Sequence, residues 1–534
     1  MVVIETMAIL KKVVAITTVL GIAMPSAASA GMVYHRGNGG DPGTLDPHKA
    51  STGIEINILR DLYEGLVTYD AAGHIYPGVA ESWKVSADGT VYTFHFRENA
   101  KWSNGEPVTP RDFVFSLRRV MDPATASEYA SAFYPIMNAR AINTGKRAPS
   151  MLGVRAIDDK TLEIRLSERT PYFIELLALP TAMPVYPPGV ENYGDDFVKP
   201  GKMISNGAYT LKNALLNAQT TVVRNPYFHD AENVAIDTVI FIPTEDHSAA
   251  LKRFSAGELE SNWGAPQEQV TWMRNNLGRQ FHVTPRLSVE YYAINTRRPP
   301  LDDVRVRKAL SMMIDREFLT KTIMKGTTVP AYSFVPPGIP NYGAPEGLDF
   351  KDEPILNRED EALELMKDAG YGPGHPLELT LRYSTSENYK NIALAVADLW
   401  KPLGVDVSLI NADAAAHYAV LKSGEGFDIG QAQWGADYAD AQNFLFLVRG
   451  DNPAFNYAGY ANPQFDVLMN RAAQASDPQE RIHLLHRAEQ LIERDEPNIA
   501  LFYSSSFNLV ADRLKGWRDN GINTHLSRWM RIEP

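Results

Sequence analysis

WKVSADGTVYTFHFRENAKWSNGEPVTPRDF, residues 83–113, passes from strand to turn to strand and then into a helix. After the turn signal Asp88-Gly89, Tyr92, Phe94 and Phe96 fall at every second position, which is the spacing of a half-buried strand in a hairpin. Thr109 then offers an N-cap, and Pro110 follows at the first helical position, where a missing N–H breaks no helical bond. A helix is therefore predicted from there, with Phe113, Leu117 and Val120 on its apolar face.

Beyond this stretch, Leu162, Ile164 and Leu166 alternate after the turn-like Asp158-Asp159, a further strand. Toward the C-terminus the spacing becomes helical. Asp302 or Asp303 caps a helix that puts Val306, Leu310, Met313 and Ile314 on one face. Another helix runs from about Asp360 to Ala369, with Gly370 as its left-handed stop. A third starts at Asp477-Pro478 and carries Ile482, Leu485 and Leu491 along one stripe. The strands at 377–381 and 405–409 lie between helical stretches, so the chain reads as mixed α/β with at least two lobes.

The chain has 534 residues, 44% of them hydrophobic, which is more than one core usually serves; two or three domains are expected. Gly and Pro are spread along it, with no low-complexity linker and no internal repeat. Residues 1–30 read as a cleaved secretory signal: Lys11 and Lys12, the apolar stretch Val13 to Met24, then Ala28-Ser29-Ala30 as the small-x-small cleavage pattern. The apolar stretch falls short of the ~20 residues of a spanning helix. Met7 is an alternative initiator. No Cys follows that stretch to carry a lipid, so a free periplasmic protein is expected. Removing residues 1–30 takes away two Lys and one Glu and moves the formal charge from −12 to −13. This acidity argues against a nucleic-acid groove or an anionic membrane as the main partner.

With no Cys in the chain, a disulfide framework, a thiolate metal site and a Cys nucleophile are all excluded. The chain also lacks a His-Glu-x-x-His, a Gly-x-Ser-x-Gly and a Walker-type phosphate loop. Gly37, Gly39, Gly40 and Gly43 have the wrong spacing for a dinucleotide fingerprint and surround a turn at Asp41-Pro42. His483 and His486 sit three apart on a predicted helix with no further ligand nearby, and read as a solvated face. The pairs Asp195-Asp196 and Asp302-Asp303 read as loop and cap residues, because adjacent side chains point apart. No cofactor, metal site or enzymatic activity is expected. The 24 Tyr and 8 Trp supply walls for a pocket, or ordinary core.

Several stretches carry a resemblance that periodicity does not supply. They are Gly43-Thr44-Leu45-Asp46-Pro47-His48, Arg60-Asp61-Leu62-Tyr63-Glu64-Gly65-Leu66, Pro77-Gly78-Val79-Ala80-Glu81-Ser82-Trp83, and Tyr92 to Arg97 followed by Ala100-Lys101-Trp102-Ser103-Asn104-Gly105 and Val108 to Phe113. Ser205-Asn206-Gly207-Ala208-Tyr209, Asp303 to Leu310 and Trp434-Gly435-Ala436-Asp437-Tyr438 follow in order. Together they resemble the oligopeptide-binding proteins of bacterial ABC importers, solute-binding protein family 5, over essentially all of the chain after residue 30.

The resemblance implies an α/β, periplasmic-binding-protein type II-like two-lobed clamp with an additional inserted domain. Lobe I would comprise 31–63, 189–288 and 505–534, the inserted domain 64–188, and the second lobe 289–504. The lobes would close by hinge motion over a short peptide, held as a strand between Ser51-Thr52-Gly53 and the stretch around Trp434-Gly435-Ala436, and present it to the membrane permease. A monomer is expected. Asp437 aligns with the carboxylate that holds the peptide's α-ammonium, Tyr129 with a pocket aromatic and Trp434 with a pocket wall; Trp263 is a further candidate. Lys422 keeps a cation where the family has Arg. Gln431 replaces an Arg and Tyr389 a His, each of which meets the carboxylate of one peptide length. Ala415 replaces a pocket Trp, and Ser51 an acidic residue. These departures weaken the anchors for the ligand's C-terminus and predict an altered preference, toward bulkier or modified peptides such as murein fragments. The same clamp carrying a metal chelate, haem, sugar or opine is the alternative, and a periplasmic peptidase a remote one.

Overall fold

The hairpin predicted at residues 83–96 forms in the computed structural model, which describes residues 31–340 and 342–533. The export segment expected at residues 1–30 lies outside the described residues. Ala80–Val85 pairs antiparallel with Val91–Phe96, and Gly89 takes φ +71° in the turn, a value that favours glycine. Thr161–Arg165 and Val154–Ala156 complete a four-stranded antiparallel sheet. Helix Pro110–Met121 covers it. Its Asp112 Oδ2 accepts the Thr109 N–H at 2.8 Å and the Trp102 indole N–H at 3.2 Å, while Phe94, Phe96, Trp102 and Phe113 fill the core beneath. The most recognisable stretch of the sequence is thus a folding motif: it buries one aromatic core and caps one helix.

A second, seven-stranded sheet gathers distant segments. Val33–Gly37 runs parallel to both Thr238–Ile242 and Ser261–Trp263, and the C-terminal strand Ser505–Val510 inserts between Ser261–Trp263 and Phe281–Pro285. Helix Gly53–Leu62 packs here through Ile58, Leu59 and Leu62.

The third sheet has six strands. Ser288–Ile294 lies inside it, antiparallel to Ile429–Gly435 and to Asn498–Tyr503, and Leu377–Ser384 runs parallel to Val405–Ala412. All seven residues of Ser288–Ile294 are buried, with Val289, Tyr291 and Ala293 in one core and Tyr292 and Ile294 in another. A strand covered on both faces shows no polar alternation.

Several predicted boundaries are corrected. The helix expected from Asp360 spans Ile355–Asp368, beginning directly after Pro354. Its first turn is mostly polar or exposed and so carries no apolar period. Asp303, not Asp302, caps Val304–Met312, and Met313 and Ile314 are buried just beyond its end. In Pro478–Asp495 the buried stripe is Leu484, Leu485, Ala488 and Ile492, whereas Ile482 and Leu491 are only half-buried. His483 is exposed as expected, but His486 is not solvated: its ring stacks on Tyr342 at 4.2 Å.

Candidate functional site

Strand Ile429–Gly435 is bonded along its whole length on one side and left open on the other. Every residue from 429 to 435 pairs with Ser288–Ile294, whereas Leu377–Ser384 reaches only Ile429 and Gly430. The Ala436 N–H donates to the Leu287 carbonyl on the paired side. By antiparallel alternation the backbones of Gln431, Gln433 and Gly435 therefore turn toward the open edge. The His417 ring bonds the Gln431 carbonyl at 2.7 Å, and a Cβ placed on Gly435 would meet nothing within 4 Å. From Gln433 onward no strand pairs with this edge among the described residues, and the Tyr418 hydroxyl is the side-chain group that reaches the Gln433 backbone, so the edge offers another extended chain a place to pair.

Asp437 follows the strand directly. Its carboxyl accepts no hydrogen bond and has no cation beside it among the described residues. The residue is exposed to water, yet enough protein surrounds the carboxyl for desolvation to raise its pKa above the ordinary aspartate value. The two observations are compatible in an open cleft, where water enters but the walls remain close. Tyr129, from the segment between helix Pro110–Met121 and strand Val154–Ala156, is near enough that the Asp437 charge adds to burial in raising its own pKa. It therefore stays a neutral hydroxyl donor.

The position of Asp437 depends on a residue that the sequence did not single out. Asn443, 1% exposed, accepts both the Asp437 N–H (3.1 Å) and the Trp434 indole N–H (2.9 Å) on its Oδ1. Trp434 is wedged edge-on between Phe446 and Phe455. Nothing in the local sequence pattern marks Asn443, whose role exists only once the loop is folded.

Behind the strand, Gln431 is buried and committed to protein partners. Its Oε1 accepts from Ser384, and its Nε2–H donates to Glu290 Oε1 at 2.5 Å. Glu290 is 2% exposed with no cation partner among the described residues, and burial pushes its carboxyl up to about 8. Tyr389 donates its hydroxyl to Gln433 Oε1 at 3.0 Å, at the mouth of the same cluster. Ala415 lies at the start of helix Ala414–Ser423, whose His417 reaches Gln431, while Lys422 stands exposed in the last turn of that helix.

The other candidates form a separate group. Ser51 and Thr52 both donate their N–H to Glu55 Oε2 at 2.9 Å, and Thr52 caps helix Gly53–Leu62. Gly53 is thus the first helical residue rather than part of an extended segment. A Cβ on Gly53 would lie 2.8 Å from the Trp263 ring, so the indole rests against this glycine and against Gly39. Between this group and the Tyr389 helix, Asn388 Nδ2–H reaches Gln267 Oε1 at 3.5 Å.

Residues 74–456 match the family model described as bacterial extracellular solute-binding proteins, family 5 Middle. The chain belongs to that family. It is 37% identical over 488 residues to the periplasmic oligopeptide-binding protein OppA of Escherichia coli K12, covering 90% of this chain and 89% of that one. It is 34% identical over 488 residues to a probable deoxycholate-binding periplasmic protein of the same organism, YgiS, at 91% and 90% coverage. The periplasmic murein tripeptide-binding protein MppA in its unliganded open form superposes with a TM-score of 0.88 at 37% identity, covering 94% of this chain and 98% of that one. The fold is accordingly the two-lobed clamp of family 5, in an arrangement similar to an open member. An open clamp explains how Asp437 is both water-exposed and hemmed in.

Proposed function

We propose that this family 5 protein is the periplasmic solute-binding subunit of an ABC importer, closing its two lobes over a short peptide and delivering it to the membrane permease. The observation that carries this reading is the carboxyl of Asp437, without a partner among the described residues, at the end of a strand edge that no described strand pairs beyond Gly430. A free peptide supplies the complement of both: an ammonium for the carboxylate, and alternating N–H and C=O groups for the edge. In a closed clamp the ion pair gains from low dielectric but costs several kcal/mol per charge to desolvate, so neighbouring hydrogen bonds must complete it. The Tyr129 hydroxyl is suited to that role. The names of the relatives, oligopeptide- and murein tripeptide-binding, agree with this cargo.

Lobe I is assigned to 31–63, 189–288 and 505–534, the inserted domain to 64–188 and the second lobe to 289–504; the strands of the three main sheets follow these divisions closely. The protein acts as a monomer in the periplasm after removal of residues 1–30, and performs no chemistry on its cargo. With Gln431 and Tyr389 both bonded to protein groups, neither is free to anchor a peptide carboxylate. Ligand length and side-chain preference therefore differ from those of family members that carry Arg and His at these positions, toward bulkier or modified peptides.

The name of YgiS favours one second reading, a clamp of this family carrying a non-peptide cargo. A ligand without an ammonium has no use for Asp437. Isothermal titration of wild type and Asp437→Asn against pools of di- to pentapeptides separates the two. Loss of a buried ion pair predicts a drop of about 3 to 5 kcal/mol in affinity; an unchanged affinity would favour the non-peptide cargo.

A further inference from the structure

Tyr172 and Tyr438 stack with ring centroids 4.6 Å apart and planes at 7°, joining the region of the four-stranded sheet to the loop that carries Asp437. Beside this stack lies a cavity of about 410 Å3, inside the 300–1,000 Å3 range of small-molecule sites. Tyr92, Pro171, Tyr172, Ile339, Pro340 and Leu485 supply much of its apolar lining. Four charged side chains line it, and three are already engaged. Arg481 donates to both Asp440 oxygens, at 2.9 and 2.8 Å, closing a two-bond pair. Arg169 spans the carbonyls of Ala87 and Ser476 at 3.4 and 3.3 Å. The carboxyl of half-buried Glu175 accepts no hydrogen bond among the described residues. The tyrosines are occupied too: Tyr92 bonds the Thr170 carbonyl and Tyr342 bonds Glu489.

We propose that this cavity is a second ligand site that takes a small amphiphilic amine, with its ammonium on the Glu175 carboxyl and its apolar body between Tyr92, Tyr172 and Leu485. Apolar walls with one unmet acceptor call for one cationic donor on a hydrophobic body. The aromatic faces add cation–π attraction. Burial, and secondarily the Asp440 charge, push the empty Glu175 up to about 7. An arriving ammonium returns it to carboxylate and releases its proton to solvent, so amine binding tightens as pH rises through 7. Arg481 opposes the cation little, because Asp440 neutralises it; Arg169 is the cation that remains, and it limits the site to a single positive charge.

The test is titration at pH 8 with 2-phenylethylamine, and with 2-phenylethanol as the same ring without the ammonium. Wild type binds the amine at one site and the alcohol at least about tenfold more weakly. Glu175→Gln loses the amine by a similar factor while still binding the peptide pools, which shows that it is folded. Asp437→Asn keeps the amine, so the result does not depend on the peptide reading. Amine binding that survives Glu175→Gln, that vanishes in Asp437→Asn, or that is absent from wild type overturns the proposal.

Discussion

Glu290 is a carboxyl held in the protein interior by a hydrogen bond from Gln431, with no cation in contact among the described residues. Its pKa stands at about 8 against an ordinary 4.5, so between those values the folded protein holds a proton that the unfolded chain gives up. Stability therefore falls as pH rises through this window and levels off above it. Glu290→Gln keeps an acceptor for Gln431 and removes the titration. Thermal melts should show the variant more stable than wild type at pH 9, by up to a few kcal/mol, and the two nearly equal at pH 4. An equal difference at both pH values would place the effect in packing rather than charge. Asp437 titrates in the same direction, raised by desolvation. Peptide affinity should accordingly weaken as acid protonates it, and a pH series of titrations checks this.

At the scale of elements, the proposed site is a strand edge continued by a loop, and Asn443 ties the loop to the strand. Asn443→Ala leaves the Trp434 indole N–H and the Asp437 N–H without their acceptor, at about 1 to 3 kcal/mol for a buried unmet group. Denaturant unfolding should register that loss, and peptide titration a further weakening as the Asp437 carboxyl moves. Gly53→Ala brings a Cβ to within 2.8 Å of the Trp263 ring. The indole must then shift, and a changed Trp fluorescence spectrum reports it. Elements were legible wherever one face met water. Tyr92, Phe94 and Phe96 announced their strand by alternation, and Thr109-Pro110 announced the start of its helix. Ser288–Ile294, buried on both faces, carried no such period. The edge left open beyond Gly430 was equally invisible, because it depends on where a neighbouring strand diverges rather than on any residue of the strand itself.

At the scale of the whole molecule, the family was legible because its motif residues build cores and caps, and these recur with the fold. Trp102 and Asp112 are an example, far in role from any ligand. Candidate site residues were proposed only through that resemblance. It pointed to Trp434 and Asp437 but not to Asn443, and it treated Ser51, Thr52 and Gly53 as one extended segment where Gly53 already begins a helix. The clamp reading makes the whole molecule a device for enclosing one charge pair as the lobes shut. The most direct test compares binding of a tripeptide pool with the same pool acetylated at the amino terminus, which removes the ammonium and changes little else. Loss of an enclosed ion pair should make the acetylated pool bind at least about a hundredfold more weakly. Equal affinity for both pools would mean that Asp437 does not hold the peptide's ammonium.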